Sequence, residues 1–127
     1  MHPIAIAAAL VAAIIHAYFF ILESVWFMRP AVWRRFGLKS AEHASVVRSF
    51  AFNQGFYNLF LAIGILVGLS LLATGETAPG RAIVFFACGS MVAAGAVLVA
   101  NNHAFLRAAL IQAVPPALAL LVAWLVS

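Results

Sequence analysis

Four long hydrophobic runs, separated by short polar breaks, dominate the pattern of this chain. They extend from about Ile4 to Met28, Val46 to Ala73, Arg81 to Ala100 and Ala104 to Val126. Each run is long enough for a helix that crosses the hydrocarbon core, which takes about 20 residues. Short connections between such helices favour antiparallel neighbours. The pattern predicts an all-α protein, a four-transmembrane-helix antiparallel bundle that forms a single integral membrane domain over residues 1–127.

Composition indicates that lipid is the solvent of most of the surface. The chain is 67% hydrophobic and 8% charged, whereas soluble domains are roughly 25% charged. Its single cysteine, Cys88, gives neither a disulfide framework nor a metal cluster. We expect no metal site and no cofactor. The basic residues flank the hydrophobic runs, which predicts contact with the lipid bilayer and no binding of nucleic acid.

Three features distinguish the first run from a cleaved signal peptide. It lacks a basic start, is longer than the apolar core of a signal peptide, and carries His16 and Glu23. We therefore expect a retained helix. The connection that follows, from Pro30 to Ser45, is the long one. Ser40-Ala41-Glu42, with Trp33 and Phe36 nearby, predicts a short amphipathic piece at the interface.

The distribution of basic residues predicts an orientation. Six of the seven flank the first and third connections: Arg29, Arg34, Arg35, Lys39, Arg48 and Arg107. Arg81 stands alone on the other side. Cytoplasmic loops carry the excess of Lys and Arg. We expect a multi-pass protein of the bacterial cytoplasmic (inner) membrane, with the N and C termini outside.

Glu23 is the strongest candidate for a functional residue, because it lies inside the otherwise apolar first run. A charged side chain at the centre of a membrane-spanning helix costs about 2.5–3.5 kcal/mol on insertion scales. Asn53 and Gln112 lie at a similar depth, since each of the three is five or six residues from an arginine that marks the water boundary. At 1.5 Å per residue this is roughly 8–9 Å below that boundary.

Helical spacing predicts which of these side chains share a face. His16 and Glu23 are seven residues apart, a spacing that returns to within about 20° on a helix. The second helix has four polar residues in a short stretch: Asn53, Gln54, Tyr57 and Asn58. They form two pairs four residues apart, and so one polar face. We expect these faces to point inward and to form a polar pocket in the cytoplasmic half of the bundle.

The stretch from Asn53 to Asn58, NQGFYN followed by LFLA, resembles the signature of a bacterial family of small membrane proteins. That family is catalogued as domain of unknown function thirteen-oh-four. The His16 and Glu23 spacing and the segment from Gln112 to Pro115 are similar to it as well. The resemblance extends over nearly the whole chain. It implies four helices and a family pattern built on the pocket residues, and it implies no particular activity.

One hypothesis is a pocket that binds or converts a hydrophobic small molecule or lipid. Glu23 and His16 would act as an acid and base pair, and Tyr57 could donate a proton. Four amide side chains would orient the ligand: Asn53, Gln54, Asn58 and Gln112. The chemistry suited to these groups is proton movement, such as isomerisation of a lipid-like compound.

Two other interpretations stay open on the sequence. A homodimer with two membrane-embedded Glu23 carboxylates would suit a proton-coupled transporter of small molecules. Alternatively, the polar face would bind another membrane protein, and the chain would be a structural subunit of a complex. The sequence does not decide whether the protein is an enzyme.

Overall fold

The computed structural model describes residues 1–126, and in that range the chain is helical without strands. The predicted all-α class is confirmed. Over the described residues five α-helices follow one another: α1 Pro3–Phe20, α2 Pro30–Trp33, α3 Ala41–Ala73, α4 Thr77–Asn101 and α5 Leu106–Leu125. A π-helical turn, Ile21–Val25, extends α1, and short 3-10 turns occupy Arg34–Phe36 and His103–Phe105.

Residues 1–126 contain four helical segments that are long and apolar enough to cross a membrane, as the hydrophobic pattern predicts. They are Pro3–Val25, Ala41–Ala73, Thr77–Asn101 and His103–Leu125. The first ends three residues before Met28, the predicted end, because the chain turns after the π-helical segment.

The start of α3 differs from the prediction. The helix begins at Ala41 rather than Val46, because Ser40 caps it: the His43 N–H donates to Ser40 Oγ at 3.2 Å. Ser40-Ala41-Glu42 therefore opens a long helix and is not a separate interfacial piece. The short helical pieces of the connection lie earlier, at residues 30–36.

Helix α3 is longer than a membrane requires. Its 33 residues extend about 50 Å at 1.5 Å per residue, whereas the hydrocarbon core is about 30 Å thick. The first third, residues 41–51, carries Glu42, His43 and Arg48, and the remainder of the helix has no charged residue. We infer that this polar third extends out of the hydrocarbon, which places Asn53 and Gln54 near the boundary between lipid and water.

The chain divides into two compact units, and the prediction of a single domain stays a prediction. Residues 16–60 form one unit. At its centre Phe27, Trp33 and Ala44 are buried together. Five partly buried side chains pack against them: Met28, Phe36, Leu38, Val47 and Ala51. The connection after α1 is thereby folded onto the first turns of α3.

The other unit comprises residues 1–15 together with 61–126. Small residues allow its helices to approach closely. A β-carbon at Gly68 would lie 2.9 Å from the Gly80 carbonyl oxygen, and one at Gly95 would lie 2.9 Å from the Ala113 β-carbon. Helix α4 thus packs tightly on both α3 and α5. The last helix continues through Pro115 and Pro116 without interruption.

Candidate functional site

Glu23 lies in the middle of the π-helical turn that follows α1. The Trp26 N–H donates to the Ile21 carbonyl five residues back, at 2.8 Å. A π turn holds one more residue than an α turn, and such turns occur frequently at functional sites. It changes the direction in which the side chains of this segment point. The amino-acid pattern gave no signal for it, because the flanking residues are ordinary helix formers.

The Glu23 carboxylate is bound by an amide from α3. Asn58 Nδ2 donates to Glu23 Oε1 at 2.9 Å, and both side chains are buried, at 7% and 9% exposure. A carboxylate has two oxygens with about four acceptor positions. This bond uses Oε1 and does not involve Oε2. Residues 35 positions apart in the chain are therefore joined within one unit by a buried polar contact.

A second contact fixes the π turn on α3. Ser24 Oγ donates to the Phe52 carbonyl at 2.7 Å. Gly55, one turn further along α3, makes room for it, because a β-carbon there would lie 2.0 Å from Ser24 Oγ. The backbones of the π turn and α3 are thus held so close together that a residue larger than glycine at position 55 would clash with Ser24.

Aromatic rings also join the end of α1 to α3. Phe20, the last residue of α1, meets Phe56 edge-on with 5.0 Å between the ring centroids. Phe52 and Phe60 lie 5.0 and 6.1 Å from Phe56 in turn. Edge-to-face pairs at such distances are favourable beyond the area that they bury. The Phe20–Phe56 pair therefore adds an apolar contact between the end of α1 and α3.

The four polar residues predicted to share one inward face of the second spanning helix, which is α3, differ in their exposure. Asn58 is buried, but Asn53, Gln54 and Tyr57 are exposed, Tyr57 at 58%. The prediction that all four side chains point inward is wrong for these three. The inward stripe consists instead of small residues at the same three- and four-residue spacing as Asn58: Ala44, Ala51 and Gly55.

The physical reason is the competition between close packing and polarity. Small side chains let helix backbones approach, and so they determine which face of a membrane helix is buried. We infer that exposed amides are tolerated at Asn53 and Gln54 because the charged first third of α3, residues 41–51, directly precedes them. Their role in binding, and that of Tyr57, stays a prediction.

His16 is fully buried and its ring meets Phe19 edge-on at 5.5 Å. About 10 Å of helix axis separates residues seven positions apart. The π turn begins between His16 and Glu23, so the spacing of an α-helix does not give the angle between the two side chains. The proposed acid and base pair of His16 and Glu23 stays a prediction.

Gln112 belongs to the other unit, where it lies between α5 and α4. Its Nε2 donates to the Met91 carbonyl at 3.4 Å. Pro115 and Pro116 have no N–H to donate, which leaves the carbonyls of Ile111 and Gln112 without their usual helical donors. A contribution of Gln112 to ligand binding stays a prediction.

Two residues of the site were not among the predicted ones, Ser24 and Gly55. Ser24 is adjacent to Glu23 in a run of large apolar residues, and Gly55 interrupts the NQGFYN stretch. A small polar residue beside the buried acid and a glycine inside a polar stretch are the signals that indicate a close helix contact. Neither signal identifies the other residue as its partner.

Within residues 1–126, no group of three or more His, Cys, Asp or Glu side chains is arranged to hold a metal ion. Neither a curated protein nor a solved structure matches the chain. A family match covers residues 10–124, which include both ends of the Glu23–Asn58 bond. The chain belongs to the family described as Protein of unknown function (DUF1304).

Proposed function

We propose that this chain is an integral membrane protein that binds an amphipathic small molecule at Glu23 and exchanges a proton with it. The observation that carries the proposal is the 2.9 Å bond between Asn58 Nδ2 and Glu23 Oε1 in a π-helical turn. We further propose the cytoplasmic membrane as its location, with the basic connection after α1 inside, because six basic residues flank the first and third connections.

Energetic arguments favour a functional acid over a purely structural one. Interhelical hydrogen bonds in membranes contribute about 0.6 kcal/mol on average. A charged side chain costs about 2.5–3.5 kcal/mol at the centre of a membrane helix on insertion scales, and Glu23, which lies nearer the end of its segment, bears part of that cost. A leucine packed against an apolar residue would hold the same two helices together at lower cost. Retaining Glu23 and Asn58 is therefore better explained by what the carboxyl group does.

The position of the site suits a ligand that enters from the membrane boundary. Glu23 lies two residues before the end of the first spanning segment, Pro3–Val25. Gln54 precedes Asn58 by one turn on α3 and is exposed. An amphipathic molecule could place its polar group at the Gln54 amide and its apolar part along the exposed side chain of Tyr57.

The chemistry open to such a site is transfer of a proton. The Glu23 carboxylate would take a proton from a C–H bond next to an electron-withdrawing group of the ligand. The electron pair left on that carbon would spread over an adjacent C=C bond of the ligand. After exchange with water, the carboxyl group would return a proton to the far carbon of that bond, so that the double bond moves and the composition of the ligand is unchanged. Asn58 would keep the carboxyl group in place through both steps, since its amide remains a donor throughout. Glu23 is the acid and base of this proposal, and Asn58 is its positioning residue.

The test is to purify the protein and identify co-extracted compounds by mass spectrometry. Glu23→Gln keeps an oxygen that accepts from Asn58 and removes the acidic group that can take up and release a proton. Glu42→Gln is the matched control, because Glu42 is exposed near the start of α3. We expect a compound that co-purifies with the wild type and with Glu42→Gln. In heavy water it should gain deuterium on the wild type and not on Glu23→Gln.

Other outcomes would support other functions. A wild-type protein that carries no compound beyond bulk lipid would contradict the proposal. Proton-coupled uptake into vesicles that is lost in Glu23→Gln would favour the transporter. Failure of Glu23→Gln to accumulate, when Glu42→Gln accumulates normally, would indicate that the acid is structural.

A further inference from the structure

A groove lies on the surface of α4 and α5, within the unit of residues 1–15 and 61–126. Its volume is about 430 Å³, and it is lined by apolar and aromatic side chains: Phe85, Val92, Ala117, Leu120, Leu121 and Trp124. Pockets for small ligands have volumes of about 300–1,000 Å³. The groove is therefore large enough to hold part of an apolar chain.

A positive charge stands at one end of this groove. The Arg81 guanidinium lies 5.0 Å from the centre of the Phe85 ring, and its Nη2 donates to the Ala123 carbonyl at 3.4 Å. Phe85 and Trp124, which follows Ala123, both line the groove. Arg81 is thus held on both sides of the groove end by contacts to α4 and α5.

These contacts leave donors available for a ligand. A guanidinium has five N–H donors in a planar fork, and the bond to Ala123 engages one nitrogen. Such a fork binds phosphate oxygens in a bidentate way. A concave apolar surface that ends at a fixed cation is complementary to a molecule with an acyl chain next to a negative group.

We propose that the groove binds an acyl chain of an anionic phospholipid, whose phosphate is held by Arg81. The apolar walls accept the chain, and the guanidinium determines the preference for a lipid with net negative charge. Electrostatic attraction of anionic lipid by a basic residue is worth about fivefold in local concentration per residue. This site is independent of Glu23, since none of its residues lies in the 16–60 unit.

Fluorescence quenching of Trp124 tests the proposal directly. Trp26→Phe and Trp33→Phe leave Trp124, which is 75% exposed and lines the groove, as the one tryptophan. The protein is placed in phosphatidylcholine vesicles that contain a small, fixed fraction of acyl-brominated phosphatidylglycerol or acyl-brominated phosphatidylcholine. We expect the brominated phosphatidylglycerol to be enriched about fivefold at Trp124. Equal quenching by the two lipids would overturn the proposal.

Four variants separate the groove from general attraction to charge. Arg81→Gln should abolish the preference for phosphatidylglycerol, and Arg81→Lys, which keeps the charge, should retain part of it. Arg48→Gln is the matched control, because Arg48 is an exposed residue of the other unit, and it should change nothing. Ala117→Phe fills the groove and keeps Arg81. Persistence of the preference in Ala117→Phe would show that Arg81 attracts headgroups without the groove, and it would overturn the proposed site.

Discussion

Ser24 and Gly55 approach each other so closely that a β-carbon on Gly55 would lie 2.0 Å from Ser24 Oγ and 3.1 Å from the Ser24 backbone nitrogen. Backbone atoms of the π turn cannot move away without breaking the Ser24 bond to Phe52. Overpacking of this kind costs about 1–3 kcal/mol, and the higher helix propensity of alanine returns at most about 1 kcal/mol. We expect Gly55→Ala to lower the midpoint of thermal unfolding in detergent.

Two further variants show whether the clash is the cause. Gly64→Ala is the control, since its β-carbon would meet only the Ala87 β-carbon at 3.8 Å, an ordinary contact. It should leave the midpoint unchanged or raise it. Ser24→Ala combined with Gly55→Ala removes the nearest clashing atom, and it should be more stable than Gly55→Ala alone. An unaltered midpoint in Gly55→Ala would contradict the close contact.

The bond between Asn58 and Glu23 is expected to show energetic coupling. In a double-mutant cycle with Glu23→Leu and Asn58→Leu, each single change leaves one buried polar group without its partner, which costs about 1–3 kcal/mol. The double variant should be more stable than the sum of the two single effects predicts. Coupling in membrane proteins averages about 0.6 kcal/mol, with a maximum near 1.7 kcal/mol. Equilibrium unfolding of all four proteins measures it, and additive effects would argue against the bond.

Exposure of Asn53 and Gln54 leads to a different expectation for these amides. Both side chains are exposed near the boundary end of α3, whereas Asn58 is buried. Surface substitutions usually change stability by less than about 0.5 kcal/mol. Asn53→Ala and Gln54→Ala should therefore unfold as the wild type does, and Asn58→Ala should not. Should Gln54→Ala retain the folded state and lose the co-purified compound, a binding role for Gln54 would be supported.

The sequence predicted the four spanning helices and Glu23 because both depend on composition along the chain. A run of apolar residues makes a spanning helix whatever its neighbours are, and a carboxylate in such a run is conspicuous. The partner of Glu23 was identified less well. Asn58 stood among four polar residues of one stretch, and polarity alone did not separate it from Asn53.

Asn58 and Asn53 differ in how they pack, and packing depends on two segments of the chain at once. Asn58 is buried because Gly55, three residues earlier, lets the π turn of Ser24 approach α3. The π turn itself changes the register after Phe20, so helical spacing counted through it no longer gives the angle between two side chains. Neither effect is visible until the two segments are considered together.

Trp33 provides a test of the small core in the 16–60 unit. It is 5% exposed, it packs with Phe27 and Ala44, and its Nε1 has no hydrogen-bond partner among the described residues. Trp33→Phe therefore breaks no hydrogen bond and should cost less than about 1.5 kcal/mol. Trp33→Ala empties the core and should cost about 3–5 kcal/mol. Limited proteolysis of the connection at residues 29–40 reports both changes, and equal protection of the two variants would show that Trp33 does not hold it.

The proposed orientation of the chain is tested by cysteine labelling. Cys88 is fully buried, and replacing it with alanine gives a background without thiols, because it is the single cysteine. Lys39→Cys and Glu76→Cys then place one exposed thiol just before α3 and one just after it. The excess of basic residues around Lys39 predicts that this end is cytoplasmic. In intact cells a membrane-impermeant maleimide should label Glu76→Cys and reach Lys39→Cys only after lysis. The reverse pattern would invert the orientation, and labelling of both thiols in intact cells would mean that α3 does not cross the membrane.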